Sequence, residues 1–124
     1  MDQRVMKTIS IIRADLSRNV PTGELARTVN LSASHLNQLF KTAVGLTITR
    51  YVRALRMKRA KELLETTFLS VKEIGRECGI KDESHFVQNF KAVHGLTPRR
   101  YRRHYQNTHL NESKTLNGDT QIGI

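Results

Sequence analysis

Residues 24–51 read ELARTVNLSASHLNQLFKTAVGLTITRY, and residues 73–101 read EIGRECGIKDESHFVQNFKAVHGLTPRRY. The second stretch repeats the first. Glu24, Leu25, Arg27, Val29 and Leu31 align with Glu73, Ile74, Arg76, Cys78 and Ile80 at a shift of 49. His35, Leu36, Phe40, Lys41, Gly45, Leu46, Thr47 and Tyr51 align with His85, Phe86, Phe90, Lys91, Gly95, Leu96, Thr97 and Tyr101 at a shift of 50, so the second copy has gained one residue in its turn. Each copy has the pattern of a short helix, a tight turn and a second helix. Asn30 and its counterpart Gly79 stand where the turn needs a residue tolerant of left-handed backbone. Ser32 is placed to cap the next helix, and Ser70 with Glu73 forms an S-x-x-E capping box. The first copy has Pro21 and Glu24 there and lacks the box.

The second helix of each copy carries the chemistry. At 100° per residue, Leu39, Phe40 and Ala43 fall within about 60° of Leu36 and face inward. Ser34, Asn37, Gln38 and Lys41 fall on the other side. In the second copy Phe86, Phe90 and Val93 face inward, with Asn89 in the place of Leu39; Ser84, Val87, Gln88 and Lys91 face outward. The outward faces lack the Glu/Lys ladder of a solvated helix, and Val87 is apolar there with no core to join. Asparagine and glutamine suit paired hydrogen bonds to adenine, and valine suits the thymine methyl.

Upstream, Val5, Ile9, Ile12 and Leu16 form one stripe of an amphipathic helix over about Gln3 to Arg18, stopped by Asn19-Val20-Pro21. Between the copies a long helix is expected from Ile48 to about Glu65. Ile48, Tyr51, Val52 and Leu55 share one face, and Met57, Ala60, Leu63 and Leu64 share another, rotated by roughly 140°. Such a helix packs on a different lobe at each end. Thr97-Pro98 opens a last helix with Arg99, Arg100, Arg102 and Arg103 and no acid among them. From Asn107 to Ile124 the chain is polar and aperiodic, the pattern of a disordered tail.

The 124 residues carry a formal charge of +10, with a pI near 10.4, which points to a polyanionic partner: nucleic acid first, an anionic membrane second. The alternative is a basic but inert surface. No apolar run spans a membrane and no signal peptide opens the chain. One cysteine, Cys78, excludes an internal disulfide and fits a reducing compartment; aligned with Val29, it reads as a small core residue. The histidines, His35, His85, His94, His104 and His109, show no metal-ligand spacing. His35 and His85 share one repeat position beside the outward face, where DNA contact and helix-end packing are equally open. No phosphate loop or nucleophile–base–acid set is present, so neither an enzyme nor a cofactor is expected. Arg27, Lys41, Arg76, Lys91, Arg99 and Arg100 lie on or near the two units as candidates for phosphate contact, which positions a protein without specifying sequence.

These stretches resemble the DNA-binding domain of the AraC/XylS family of bacterial transcription regulators over about Val5 to Arg103. The match rests on Leu25 to Gly45, Tyr51-Val52, RMKRAKELL from Arg56 to Leu64, SVKEIGRECGI, SHFVQNFK and HGLTPRRYRR. The resemblance implies an all-α fold of seven helices: a first helix-turn-helix lobe (3–46), a connector helix (47–66), a second lobe (67–106) and the tail (107–124). It implies a recognition helix from each lobe in successive major grooves, and activation through RNA polymerase. The chain is expected to be a monomer in the bacterial cytoplasm, associated with the nucleoid. Base-reading positions would fall on Ser34, His35, Asn37, Gln38, Ser84, His85, Val87 and Gln88. The family usually has alanine at the position of Gly75 and phenylalanine at that of Ile80, departures expected to loosen the second lobe slightly. No sensor or dimerisation domain is visible in the chain. The rival readings are a nonspecific nucleoid protein and a protein-interaction module with a basic surface.

Overall fold

The computed structural model describes the backbone of residues 1–122 and the side chains of residues 1–110. The helices are α1 (Gln3–Ala14), α2 (Thr22–Thr28), α3 (Ala33–Val44), α4 (Ile48–Thr66), α5 (Val71–Glu77), α6 (Glu83–His94) and α7 (Pro98–Ile122). No strand occurs among the described residues.

The duplication is written into the helix ends. Ser32 Oγ accepts the His35 N–H at 3.1 Å ahead of α3, and the Asp82 carboxylate accepts the His85 N–H at 2.8 Å ahead of α6. Thr47 and Thr97 accept from the Arg50 and Arg100 N–H groups, each at 3.3 Å, ahead of α4 and α7. The Ser70–Glu73 capping box is complete, and Pro21 leaves α2 without a side-chain cap. Between the paired helices Asn30 has φ 59° and Gly79 has φ 85°. Just beyond them the Leu31 and Ile80 N–H groups donate to the Ala26 and Gly75 carbonyls at 2.9 and 2.8 Å.

There are two cores. Val5, Ile12, Leu25, Ala26, Val29, Leu36, Phe40 and Ile48 make the first. Met57, Ala60, Leu63, Leu64, Ile74, Cys78, Ile80, Phe86 and Phe90 make the second. Each fully buried Leu or Phe contributes about 1.5–3 kcal/mol through loss of apolar surface to water. Helix α4 serves both cores as its two stripes require: Tyr51, Val52 and Leu55 pack on the first, and Met57, Ala60, Leu63 and Leu64 lie in the second. It closes lobe one as α7 closes lobe two. Tyr51 meets Phe40 edge-on at 5.2 Å, and Tyr101 meets Phe90 edge-on at 5.8 Å.

The structure departs from the sequence pattern in four places. Helix α1 stops at Ala14, because the Asp15 side chain turns back to accept from Ser17 N–H and Oγ and offers the backbone an alternative to the helix. Its buried stripe is Val5, Thr8 and Ile12; Thr8 Oγ1 is satisfied by the Arg4 carbonyl at 2.8 Å. Ala43 and Val93 are exposed, Val93 to 46%, since in the last turn of each second helix the residue one further on faces the core. Val44 and His94 turn inward there, and His94 Nε2 lies 3.1 Å from the Met57 carbonyl. Gly75 leaves no gap: a Cβ there would stand 3.1 Å from both the Ile80 carbonyl oxygen and the Phe86 ring, so the second lobe has closed onto the missing methyl. Ile80, the other departure expected to loosen this lobe, is buried. Helix α7 continues through Asn107–Leu110, where disorder is expected from the sequence. At spacings of four residues, Tyr105 stacks on Tyr101 at 6.4 Å and meets His109 at a tilt at 4.0 Å, and these contacts extend it. The side chains of the expected tail beyond residue 110 lie outside the described residues.

Candidate nucleic-acid interface

The rotation of α3 and α6 is fixed from inside. Leu36 and Phe40 hold α3, and Phe86 and Phe90 hold α6, all with no exposed surface. The opposite faces are thereby committed to solvent. Ser34, His35 and Gln38 are exposed on α3, and Ser84, His85 and Gln88 are exposed on α6. Asn37 and Val87 are half-buried at the matching edge of each helix. The two sets of candidate reading residues therefore occupy equivalent faces in the two lobes. His85 also lines, with Asn89, a groove of about 490 Å3 between the lobes, so it sits at the border of its polar face.

The candidate phosphate-binding cations Arg27, Lys41, Arg76, Lys91, Arg99 and Arg100 are all exposed. Among the described residues the ion pairs are Arg4–Asp2 and Arg59–Glu62, neither of which engages these six. The sequence reading passed over Arg50. It holds in the first turn of α4 the place that Arg100 holds in α7, with the same threonine cap and the same exposure. The shift of 50 that aligns Tyr51 with Tyr101 identifies it. Arg102, grouped by sequence with the basic cluster of the last helix, is instead structural. Its guanidinium donates to the Leu64, Leu69 and Thr67 carbonyls at 3.1, 2.7 and 3.3 Å and caps the end of α4.

No group of His, Cys, Asp and Glu among the described residues could hold a metal ion. Burial pushes the Cys78 thiol up to about 11, so it is a poor nucleophile near neutral pH. No helix of the described residues is long and apolar enough to cross a membrane. The structure presents two matched polar helix faces flanked by cations that make no ion pair among the described residues.

A profile of the helix-turn-helix domain matches residues 25–104. The chain is 34% identical over 97 residues to the Msm operon regulatory protein of Streptococcus mutans, covering 78% of this chain and 35% of that protein. Its fold matches the C-terminal domain of the two-component response regulator yesN from Fusobacterium nucleatum with TM-score 0.77 and 29% identity, over 82% of this chain and 99% of that one. It also matches a transcriptional regulator with an AraC-type DNA-binding domain from Chromobacterium violaceum, with TM-score 0.76 and 29% identity, over 83% of this chain and 92% of that one. The chain spans 12% to 38% of the length of the curated relatives it matches.

Proposed function

Because the chain belongs to the AraC/XylS family of helix-turn-helix DNA-binding domains, we propose that it regulates transcription by reading one specific duplex sequence with both lobes at once. Helix α3 enters one major groove and α6 the next on the same face of the DNA. Ser34, His35, Asn37 and Gln38 read one half-site; Ser84, His85, Val87 and Gln88 read the other. Arg27, Arg50 and Lys41 in the first lobe, and Arg76, Lys91, Arg99 and Arg100 in the second, hold the phosphates. One observation carries the reading: two capped helices, each locked by two buried side chains, present equivalent polar faces beside cations without ion pairs among the described residues.

A single copy carries both reading helices, so a monomer suffices for one site. Contact with RNA polymerase, and with it an activating role in the bacterial cytoplasm, is proposed on the family resemblance alone. The test is selection of binding sites from a random duplex pool, followed by affinity for the selected site and a scrambled one across a salt series. Strong preference for the selected site, with affinity falling steeply as salt rises, supports the regulator. Equal affinity at every salt makes it a nonspecific nucleoid protein. Failure to bind DNA at moderate salt leaves an interaction module.

A further inference from the structure

The two lobes meet at more than the shared helix. Arg56 lies on α4 between its two apolar stripes, and its fork turns back onto the connection between α1 and α2. Nε donates to the Leu16 carbonyl at 3.0 Å, and Nη2 donates to the Arg18 carbonyl at 3.4 Å and to Asn19 Oδ1 at 2.7 Å. Asn19 then passes the contact on. Its Nδ2 donates to the Gly79 carbonyl at 3.2 Å, across 60 residues of chain. Gly79 belongs to the other lobe, in the turn that leads into α6.

Backbone also meets backbone here. A Cβ on Gly79 would stand 2.8 Å from the Leu16 carbonyl oxygen, 3.0 Å from the Ser17 carbonyl oxygen and 3.0 Å from Arg56 Nη2. Its counterpart Asn30 carries a full side chain at the same kind of turn and is exposed. The two turns thus differ: the first needs only left-handed backbone, and the second must also admit the opposite lobe. Burial disfavours the Arg56 charge, and the carbonyl acceptors around it hold it in place.

We infer that Arg56, Asn19 and the Gly79 carbonyl form a polar clasp that fixes the rotation of the second lobe against the first. Arg56 and Asn19 are then positioning residues for DNA recognition, although neither lies on α3 or α6. The second lobe is otherwise joined to the first along α4, the helix the two cores share. The clasp adds a second point of attachment away from the α4 axis, and a contact off that axis opposes rotation of the second lobe about it. The consequence for recognition rests on the two-groove reading above; the clasp itself does not.

The test uses Asn19→Ala, which removes the bridge, and Arg56→Lys, which keeps the charge but loses the planar fork. Residual dipolar couplings are measured on the DNA-free chain, with affinity for a selected two-half-site duplex and for one in which the second half-site is scrambled. The wild-type lobes are expected to share one alignment tensor, and each variant to need two. Each variant should retain wild-type helix content, lose at least about tenfold in affinity for the full site, and lose less than about twofold on the single half-site, because only linked binding depends on phase. One shared tensor in both variants overturns the clasp. Unchanged full-site affinity, or equal loss on both duplexes together with a lower melting temperature, overturns its positioning role. If the wild-type chain fails to discriminate the selected duplex, the two-groove reading falls, while the tensors still judge the clasp.

Discussion

The Tyr101 hydroxyl donates to the Glu65 carboxylate, joining the first turn of α7 to the last turn of α4. Tyr51 makes the analogous crossing in the first lobe, where its hydroxyl accepts from Arg13 Nε at 3.2 Å near the end of α1. The same repeat position is paired with an acid in one lobe and a base in the other. Burial and Glu65 together raise the Tyr101 pKa. A phenol whose folded pKa lies above its unfolded one favours folding while neutral, so its stabilising effect is whole below the unfolded pKa and is lost as pH climbs from there toward the folded value. Tyr101→Phe should cost roughly 1 kcal/mol near neutral pH, from loss of a partly exposed hydrogen bond. The gap between wild type and variant should shrink above the ordinary tyrosine pKa of 10.0. Urea unfolding at several pH values checks it; a gap that widens in alkali has the wrong sign.

Base reading and phosphate contact separate by their dependence on sequence and salt. Gln38→Ala and Gln88→Ala should each lose about 1–3 kcal/mol on the selected duplex and less on random DNA. Arg99→Ala should weaken both and lower the salt slope by about one. Arg50→Ala should match Arg100→Ala, since the two hold the same repeat position. If the glutamine variants weaken specific and random binding alike, the reading face is misassigned.

The turns give a stability contrast. Asn30→Gly changes little, since its backbone is already left-handed and its side chain exposed. Gly79→Ala must place a methyl 2.8 Å from the Leu16 carbonyl in a left-handed conformation. A loss of about 1–3 kcal/mol is expected there, read by chemical denaturation. Equal costs at the two turns would mean that the lobes do not press together at Gly79.

Cys78 offers a probe that needs no substitution. It has no exposed surface, and burial holds its thiol up at about 11. Alkylation at neutral pH should be at least about a hundredfold slower in the folded chain than in denaturant, because reaction waits on opening of the second core. Comparable rates would show that this core opens far more readily than its packing allows.

Most of the fold is legible in the sequence because short-range chemistry decides it. The Ser32 cap, the Ser70–Glu73 box and the two stripes of α4 each depend on residues within a few turns of one another. The end of α1 is less legible, since Asp15 competes with the helix through a side-chain turn that no periodicity reveals. Ala43 and Val93 follow the inward stripe, yet at that depth the cores take Val44 and His94, one residue on. No sequence pattern marks Arg56 or Arg102 as structural, and only the folded chain shows their forks spent on carbonyl oxygens 33 to 40 residues away in sequence. The candidate reading face is legible because its register is set by two large apolar residues in each helix. Arg50 was legible too, through the same shift that aligns the tyrosines.

The central claim is that two rigidly phased lobes read successive grooves, about 34 Å apart along B-DNA. Insertion of one alanine between Arg56 and Met57, where the stripes of α4 meet, tests it most directly. Alanine sustains the helix, while the insertion turns the second lobe by about 100° and moves it by only about 1.5 Å. The measurement is a footprint of the inserted chain on the selected duplex, with helix content followed by circular dichroism. The account expects near-native helix content and loss of protection over one half-site. An intact footprint at unchanged affinity would contradict it, because α4 would then be a tether rather than a ruler.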